Sequence, residues 1–236
     1  MEVQFGAAKV KKYAMRESGD TLEMVERPHG GISLVLADGQ RSGRPAKRIS
    51  SAVVRKAIQL LSEGVRDGAA ARAALDYLYT YRDGKVSATL NIVSVDTRTR
   101  TLVVSRNNPS PVLLFTPEAG LSLLDEPSVS AGIHPNTKPV ITEMPLVEGL
   151  VVVAATDGLF HAGTRSGELL YQPAEALLDL LQAGVTSAQA LADALLHGAV
   201  EMYGGWPRDD ISVVVVCAVS EEEQDPVRRL QGRFSM

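Results

Sequence analysis

The sequence predicts an α+β domain in which antiparallel sheets carry helices on their outer faces. Three observations lead there. Strand-like and helix-like stretches follow the order strands, two helices, many strands, two helices, one strand. Connections within residues 87–115 are too short for parallel crossovers, so those strands read as an antiparallel meander. No low-complexity linker and no internal repeat divides the 236 residues. Residues 1–220 therefore read as one domain, followed by a charged, frayed tail over 221–236.

Residues 3–15 and 21–25 read as a hairpin turning at Glu17-Ser18-Gly19-Asp20. Residues 32–37 are nearly all apolar, as in a central strand covered on both faces. After Gly43 the period changes. Pro45 suits a first helical turn, and Ile49, Val53, Val54, Ala57, Ile58, Leu61 and Val65 then recur every three or four residues. A second helix over 69–81 would bury Ala70, Ala73, Ala74, Tyr77 and Leu78, and Asp83-Gly84 closes it. Strands follow over 88–95, 101–105 and 112–115, then a small turn at Gly120. The segment 125–139 is a Pro-, Ser- and Gly-rich loop, and 140–146 with 150–156 make another hairpin. Residues 158–172 read as loop. Helices are expected over 173–181, with Pro173 at its start, and 187–202, with Ser187 as its N-cap. Residues 211–219 form the last strand, apolar on both faces, and Trp206 just before it reads as its packing anchor.

Composition narrows the function. The chain is 45% hydrophobic and 22% charged, as in ordinary globular domains. A net charge of -4 and scattered Lys and Arg argue against nucleic acid as a partner. The single cysteine, Cys217, lies in an apolar strand and reads as a small buried hydrophobe. No intramolecular disulfide is possible, no signal peptide is visible, and apolar runs such as 150–155 are too short to span a bilayer. A cytoplasmic protein without membrane contact is expected.

The chemistry concentrates in four aspartates, Asp20, Asp38, Asp157 and Asp209, each at a strand end or in a turn beside one. Two strands end on Asp-Gly, at Asp38-Gly39 and Asp157-Gly158, and Asp209-Asp210 opens a third. Asp-Gly is also a common turn dipeptide, so each Asp taken singly reads as a turn or a cap. Together they support a second reading. Three ionised carboxylates about 5 Å apart would repel by roughly 3 kcal/mol per pair at an effective dielectric of ~20. The sum, on the order of 10 kcal/mol, rivals the stability of a whole domain. Such a cluster persists only if protonated or offset by cations, and all-oxygen ligands select hard ions such as Mg²⁺ or Mn²⁺. Without a Cβ, Gly39 would let its carbonyl approach such an ion. Both readings stand on the residues alone. His29, His134 and His197 read as ordinary turn, loop and helix residues. His161, close after Asp157, reads as a loop histidine or as an aid to a leaving group.

The chain resembles the metal-dependent PPM (PP2C-type) serine/threonine phosphatases, in the bacterial branch that includes SpoIIE, RsbU and RsbX. The resemblance is carried by Ser18-Gly19-Asp20, by residues 36–43, by Ala88-Thr89-Leu90, by Asn107-Asn108-Pro109-Ser110-Pro111, by Gly132-Ile133, by Thr156-Asp157-Gly158-Leu159 and by residues 208–213. These fall in the family's order and span nearly the whole chain. The resemblance implies a four-layer α-β-β-α sandwich, two antiparallel sheets flanked by helix pairs, with two Mn²⁺ or Mg²⁺ ions at one edge. Asp38 would bridge both ions, and the Gly39 carbonyl would bind the second. Asp157 and Asp209 would hold the first, Asp20 would serve the second, and Asp210 would support the set. A water shared by the ions would attack phosphoserine or phosphothreonine without a covalent phospho-enzyme. The implied substrate is a phosphorylated bacterial regulator of the STAS anti-sigma-antagonist type, in a sporulation or stress-response circuit. Two alternatives accompany it: a pseudophosphatase that binds without turnover, and a phosphatase of small phosphoesters. The turn Gln40-Arg41-Ser42-Gly43 departs from relatives that carry histidine there, and Arg16 stands near the position of a phosphate-binding arginine in some.

Overall fold

The computed structural model describes residues 1–28, 30–163, 170–220 and 227–233. In chain order the elements are β1 (Glu2–Val10), β2 (Asp20–Glu26), β3 (Ile32–Asp38), α1 (Gly43–Ser62), α2 (Asp67–Arg82), β4 (Leu90–Asp96), β5 (Thr101–Asn107), β6 (Val112–Thr116), β7 (Gly120–Leu124), β8 (Val140–Pro145), β9 (Val151–Ala155), α3 (Asp157–Phe160), α4 (Pro173–Gln182), α5 (Ala188–Met202) and β10 (Ile211–Val219). The strands form two five-stranded antiparallel sheets. The first has the order β1-β10-β9-β6-β7 and the second β2-β3-β4-β5-β8.

Strand alternation builds the layers. Along β10, Val214 and Val216 point into the space between the sheets, where they meet Leu34, Leu36, Val93 and Val104. Val213, Val215 and Cys217 point the other way, against Leu191, Leu195 and Ala199 of α5. On the far side, Val35, Ala37, Leu90 and Ile92 pack on Val53, Ala57, Leu75 and Leu78 of α1 and α2. The result is the expected α-β-β-α sandwich. The apolar period of α1 is realised, with Ile49, Val53, Val54, Ala57 and Leu61 buried. Burial also pushes the Cys217 thiol up to about 12, which keeps it unreactive.

Three pairings differ from the expectation. β1 and β2 are no hairpin: β1 pairs with β10, and β2 with β3, in different sheets. Likewise β8 pairs with β5, and β9 with β10 and β6. The meander also breaks after β5, because β6 joins the first sheet. The cause is geometric. Facing sheets lie about 10 Å apart, a gap that three or four extended residues can span. A short connection therefore excludes a parallel crossover without deciding whether the chain turns beside itself or crosses to the other layer.

Local differences have similar causes. Residues 157–160 form the short helix α3 where a loop was expected. In α2 the buried face is Ala70, Ala71, Ala74, Leu75 and Leu78, while Ala73 is only partly buried. Tyr77 is exposed and stacks on Tyr81 at 5.6 Å. Trp206 is exposed rather than buried under β10. Ser187 caps α5 as expected, accepting from the N–H of Ala190 at 3.4 Å. His29 and parts of the 158–172 loop and the 221–236 tail lie outside the described residues, and the described part of the tail, 227–233, carries no helix or strand. Among the described residues, no helix is long and apolar enough to cross a membrane.

Candidate metal centre

Asp20 opens β2 and Asp38 closes β3, and the two are register partners across that antiparallel pair. Asp157 follows the end of β9 by two residues and Asp209 precedes β10 by two, so these two lie at the same end of neighbouring strands in the facing sheet. Hydrogen bonds join the two strand pairs. Ser212 Oγ donates to Asp20 Oδ2 at 2.6 Å and Thr156 Oγ1 donates to the same oxygen at 3.1 Å. The N–H of Ser212 in turn donates to Thr156 Oγ1 at 3.0 Å. One carboxylate oxygen of the second sheet thus fastens two hydroxyls of the first.

The turn after Asp38 is held from the side by residues 87–89. Thr89 Oγ1 accepts from the N–H of Asp38, the N–H of Thr89 donates to the Asp38 carbonyl, and the N–H of Gln40 donates to the Ser87 carbonyl. Gly39, Ala88 and Ala131 continue this as a narrow bridge ladder. The glycines of the two Asp-Gly pairs are needed where another backbone passes. A Cβ on Gly39 would collide with the Ala46 carbonyl in α1, and one on Gly158 with the Asp210 carbonyl. The room they leave brings Asp38 under α1 and Asp157 beside Asp209-Asp210. Gly158→Ala is expected to cost about 1–3 kcal/mol through overpacking, read as a lower Tm in thermal unfolding, and to weaken Mn²⁺ binding measured by calorimetry.

Asp210 is buried and accepts from the N–H of Lys12 at 2.9 Å and of Gly19 at 2.8 Å. It therefore ties the 11–19 loop to the start of β10. Its own N–H donates to Asp209 Oδ1 at 3.0 Å.

The electrostatics mark a shared site. Asp38 is pushed up to about 9, first by burial and then by the charges of Asp20 and Asp157, with Asp209 contributing. Asp20 is pushed up to about 6 by burial, against the Ser212 hydrogen bond. Both shifts have the sign of two carboxyls that cannot ionise together. The Ser212 and Thr156 hydroxyls favour the charged form of Asp20, which leaves the shared proton on Asp38. Asp209 is also raised, by burial first and then by Asp157.

Asp157 and Asp209 are turned toward local partners. Asp157 Oδ2 lies 3.8 Å from His161 Nδ1, and Asp209 Oδ1 takes the Asp210 N–H. In these rotamers no three His, Cys, Asp or Glu side chains among the described residues are grouped to hold one metal ion. The donor set nevertheless fits hard divalent cations. It is all oxygen, it carries excess negative charge, and Asp20 Oδ1 is buried with no hydrogen-bond donor. A buried acceptor without a donor beside a neighbouring carboxyl suits a cation or a proton.

Five residues of the centre carried no role in the sequence reading. Thr156 and Ser212 lie inside the quoted motif segments, but only the fold aims their hydroxyls at Asp20. Lys9 and Lys47 both donate to the Asp20 carbonyl, at 2.6 and 2.7 Å. One comes from β1 and the other from α1, a meeting that no local pattern signals. Asn108 Nδ2 donates to the Ala155 carbonyl at 3.1 Å, fixing the end of β9 just before Asp157. Arg16 is exposed in the 11–19 loop, and among the described residues its side chain makes no ion pair. His161 ends α3 beside Asp157, with its ring solvent-exposed.

Known proteins share this fold. The family described as Stage II sporulation protein E (SpoIIE) matches residues 28–219. Among solved structures, the PP2C phosphatase domain with a fragment of the regulatory domain of SpoIIE from Bacillus subtilis is similar with a TM-score of 0.76 at 20% identity. The match covers 92% of this chain and 63% of that one, so the chain spans less than two thirds of that relative. RsbX in complex with magnesium matches with a TM-score of 0.69 at 16% identity, over 91% of this chain and 94% of that one. The catalytic domain of the serine/threonine protein phosphatase PstP, in complex with two manganese ions, matches with a TM-score of 0.69 at 17% identity, over 92% and 99%. No curated protein matches the sequence. With a family match over residues 28–219 and a PP2C-type sandwich throughout, the chain belongs to the SpoIIE family of PP2C-type phosphatases.

Proposed function

We propose that the chain is a metal-dependent phosphatase of phosphoserine and phosphothreonine in proteins. The observation that carries the reading is the meeting of Asp20 and Asp38 from one sheet with Asp157 and Asp209 from the other, where Asp38 is raised first by burial and then by all three neighbours. Asp20, Asp38, Asp157, Asp209 and the Gly39 carbonyl would together hold two Mn²⁺ or Mg²⁺ ions. When bound, such ions supply Lewis acidity, lowering the pKa of water and offsetting charge on phosphoryl oxygens. The protein's own part is positional. Ser212 and Thr156 hold Asp20 in its charged form, the Lys9 and Lys47 ammonium groups fix its backbone, and residues 87–89 fix the Asp38 turn. The substrate in view is a phosphorylated regulator of STAS type, and the setting cytoplasmic.

The test is release of phosphate from a phosphoserine peptide and from p-nitrophenyl phosphate with Mn²⁺, with Mg²⁺ and with chelator. Turnover that needs the metal supports the reading, and metal-independent turnover would sink it. Faster turnover of sugar phosphates or nucleotides than of phosphopeptides would favour a small-phosphoester enzyme. Metal binding without any turnover would favour a pseudophosphatase.

A further inference from the structure

Beside the acid cluster lies a surface that the chemistry of the centre leaves unused. Tyr13 in the 11–19 loop and Trp206 in the α5–β10 connection touch edge to face, with ring centroids 4.4 Å apart. A buried aromatic pair would need no comment, but these rings are 56% and 59% exposed. The two segments are joined, since the N–H of Tyr13 donates to the Pro207 carbonyl at 2.7 Å. They are also joined to the centre, because Asp210 accepts from the N–H of Lys12 and of Gly19 and stands next to Asp209. The turn that carries Tyr13 closes from the N–H of Met15 to the Lys12 carbonyl, with Ala14 at a φ of 64°. A left-handed alanine is strained, and such strain tends to be kept where a ligand is met.

Charge identifies the occupant. Residues 11–17 and 203–208 carry Lys11, Lys12, Arg16 and Arg208 against the single acid Glu17, in a chain whose net charge is -4. Lys11, Arg16 and Arg208 are exposed, and among the described residues none of them forms an ion pair. Exposed aromatics amid unpaired cations fit a chain segment that brings an apolar side chain flanked by carboxylates. We infer that Tyr13 and Trp206, with Lys11 and Arg208, form a docking surface for an acidic segment of the phosphoprotein substrate. Its identity as substrate rests on the phosphatase reading; the docking itself does not.

Trp206 is the only tryptophan, so its emission reports on this surface directly. The full chain is titrated with two phosphoserine peptides of the same core, one flanked by Asp and Glu, the other by Lys. The acidic peptide should shift Trp206 emission and bind about tenfold more tightly, with a preference that weakens in high salt. Lys11→Glu with Arg208→Glu should reverse the preference, and Tyr13→Ala should weaken binding of the acidic peptide. In turnover, Trp206→Ala should raise KM for the acidic peptide about tenfold, as expected on losing an aromatic anchor, while p-nitrophenyl phosphate hydrolysis stays within about twofold. Hydrolysis of both peptides with equal KM and no emission shift overturns the inference, as does an equal loss on peptide and p-nitrophenyl phosphate. A concentration-dependent dimer that buries Trp206 would assign the surface to a second copy and also overturn it. A selective emission shift without hydrolysis of either peptide would leave the docking standing and remove the phosphatase reading.

Discussion

Asp38→Asn is expected to lower phosphatase turnover by about a thousandfold or more while leaving the metal-free protein at least as stable as the parent. The two halves have one cause. Asp38 is the acid whose charge is most opposed by its surroundings, with burial acting first and the Asp20 and Asp157 charges next. Near neutral pH the metal-free protein holds Asp38 protonated, and asparagine matches that neutral side chain in size. The bound state differs. In the proposed metal-bound state Asp38 would serve as an anionic ligand, and losing one well-placed electrostatic group costs a factor of about 10²–10³ even in sites with no metal. Thermal unfolding with chelator should therefore show an unchanged or raised Tm for the variant, and added Mn²⁺ should no longer raise it. A large drop in the metal-free Tm would mean that Asp38 serves the fold instead. Full Mn²⁺-dependent turnover by the variant would remove Asp38 from the centre.

The second large effect is the pH dependence of stability. Asp38 and Asp20 both titrate above the ordinary 3.8, at about 9 and about 6. Between 3.8 and those values the folded chain holds protons that the unfolded chain has released. Their contribution to stability is therefore greatest in acid and declines as pH rises, through about 6 for Asp20 and about 9 for Asp38, levelling off above. One such group gives a slope of at most about 1.4 kcal/mol per pH unit. Urea unfolding with chelator at pH 6, 7, 8 and 9 should show the decline. Millimolar Mn²⁺ should flatten it, because a bound cation replaces the proton as the neutralising charge. Asp38→Asn should flatten it without metal. A metal-free stability that is level from pH 6 to 9 would contradict the placement of these carboxyls.

Lys9 and Lys47 illustrate what was hidden in the sequence. Each is an unremarkable lysine in its own element, yet both ammonium groups converge on the backbone carbonyl of Asp20. Thr156 stands next to Asp157 and Ser212 two residues after Asp210, but a hydroxyl near an Asp carries no sign of which carboxylate it will reach. Trp206 misled in the opposite sense. A large aromatic between Gly205 and Pro207 suggests an anchor, and whether it turns in or out depends on the 11–19 loop, thirteen strands and helices earlier in the chain.

Local chemistry was enough for several features. The apolar period of α1, the cap of α5, the doubly covered β3 and β10, and the position of each Asp at a strand end all follow from short-range rules of periodicity, capping and turn formation. The layer each strand joins does not follow from those rules. β1 with β2, and β8 with β9, are neighbours in sequence but lie in different sheets. A connection of a few residues reaches a neighbouring strand and the facing sheet equally well, and only the burial of both inner faces against each other selects between them. That selection brings Asp20 and Asp38 to face Thr156, Asp157, Asp209 and Ser212. The acids were determined by the sequence; their convergence was decided by how the two sheets pack.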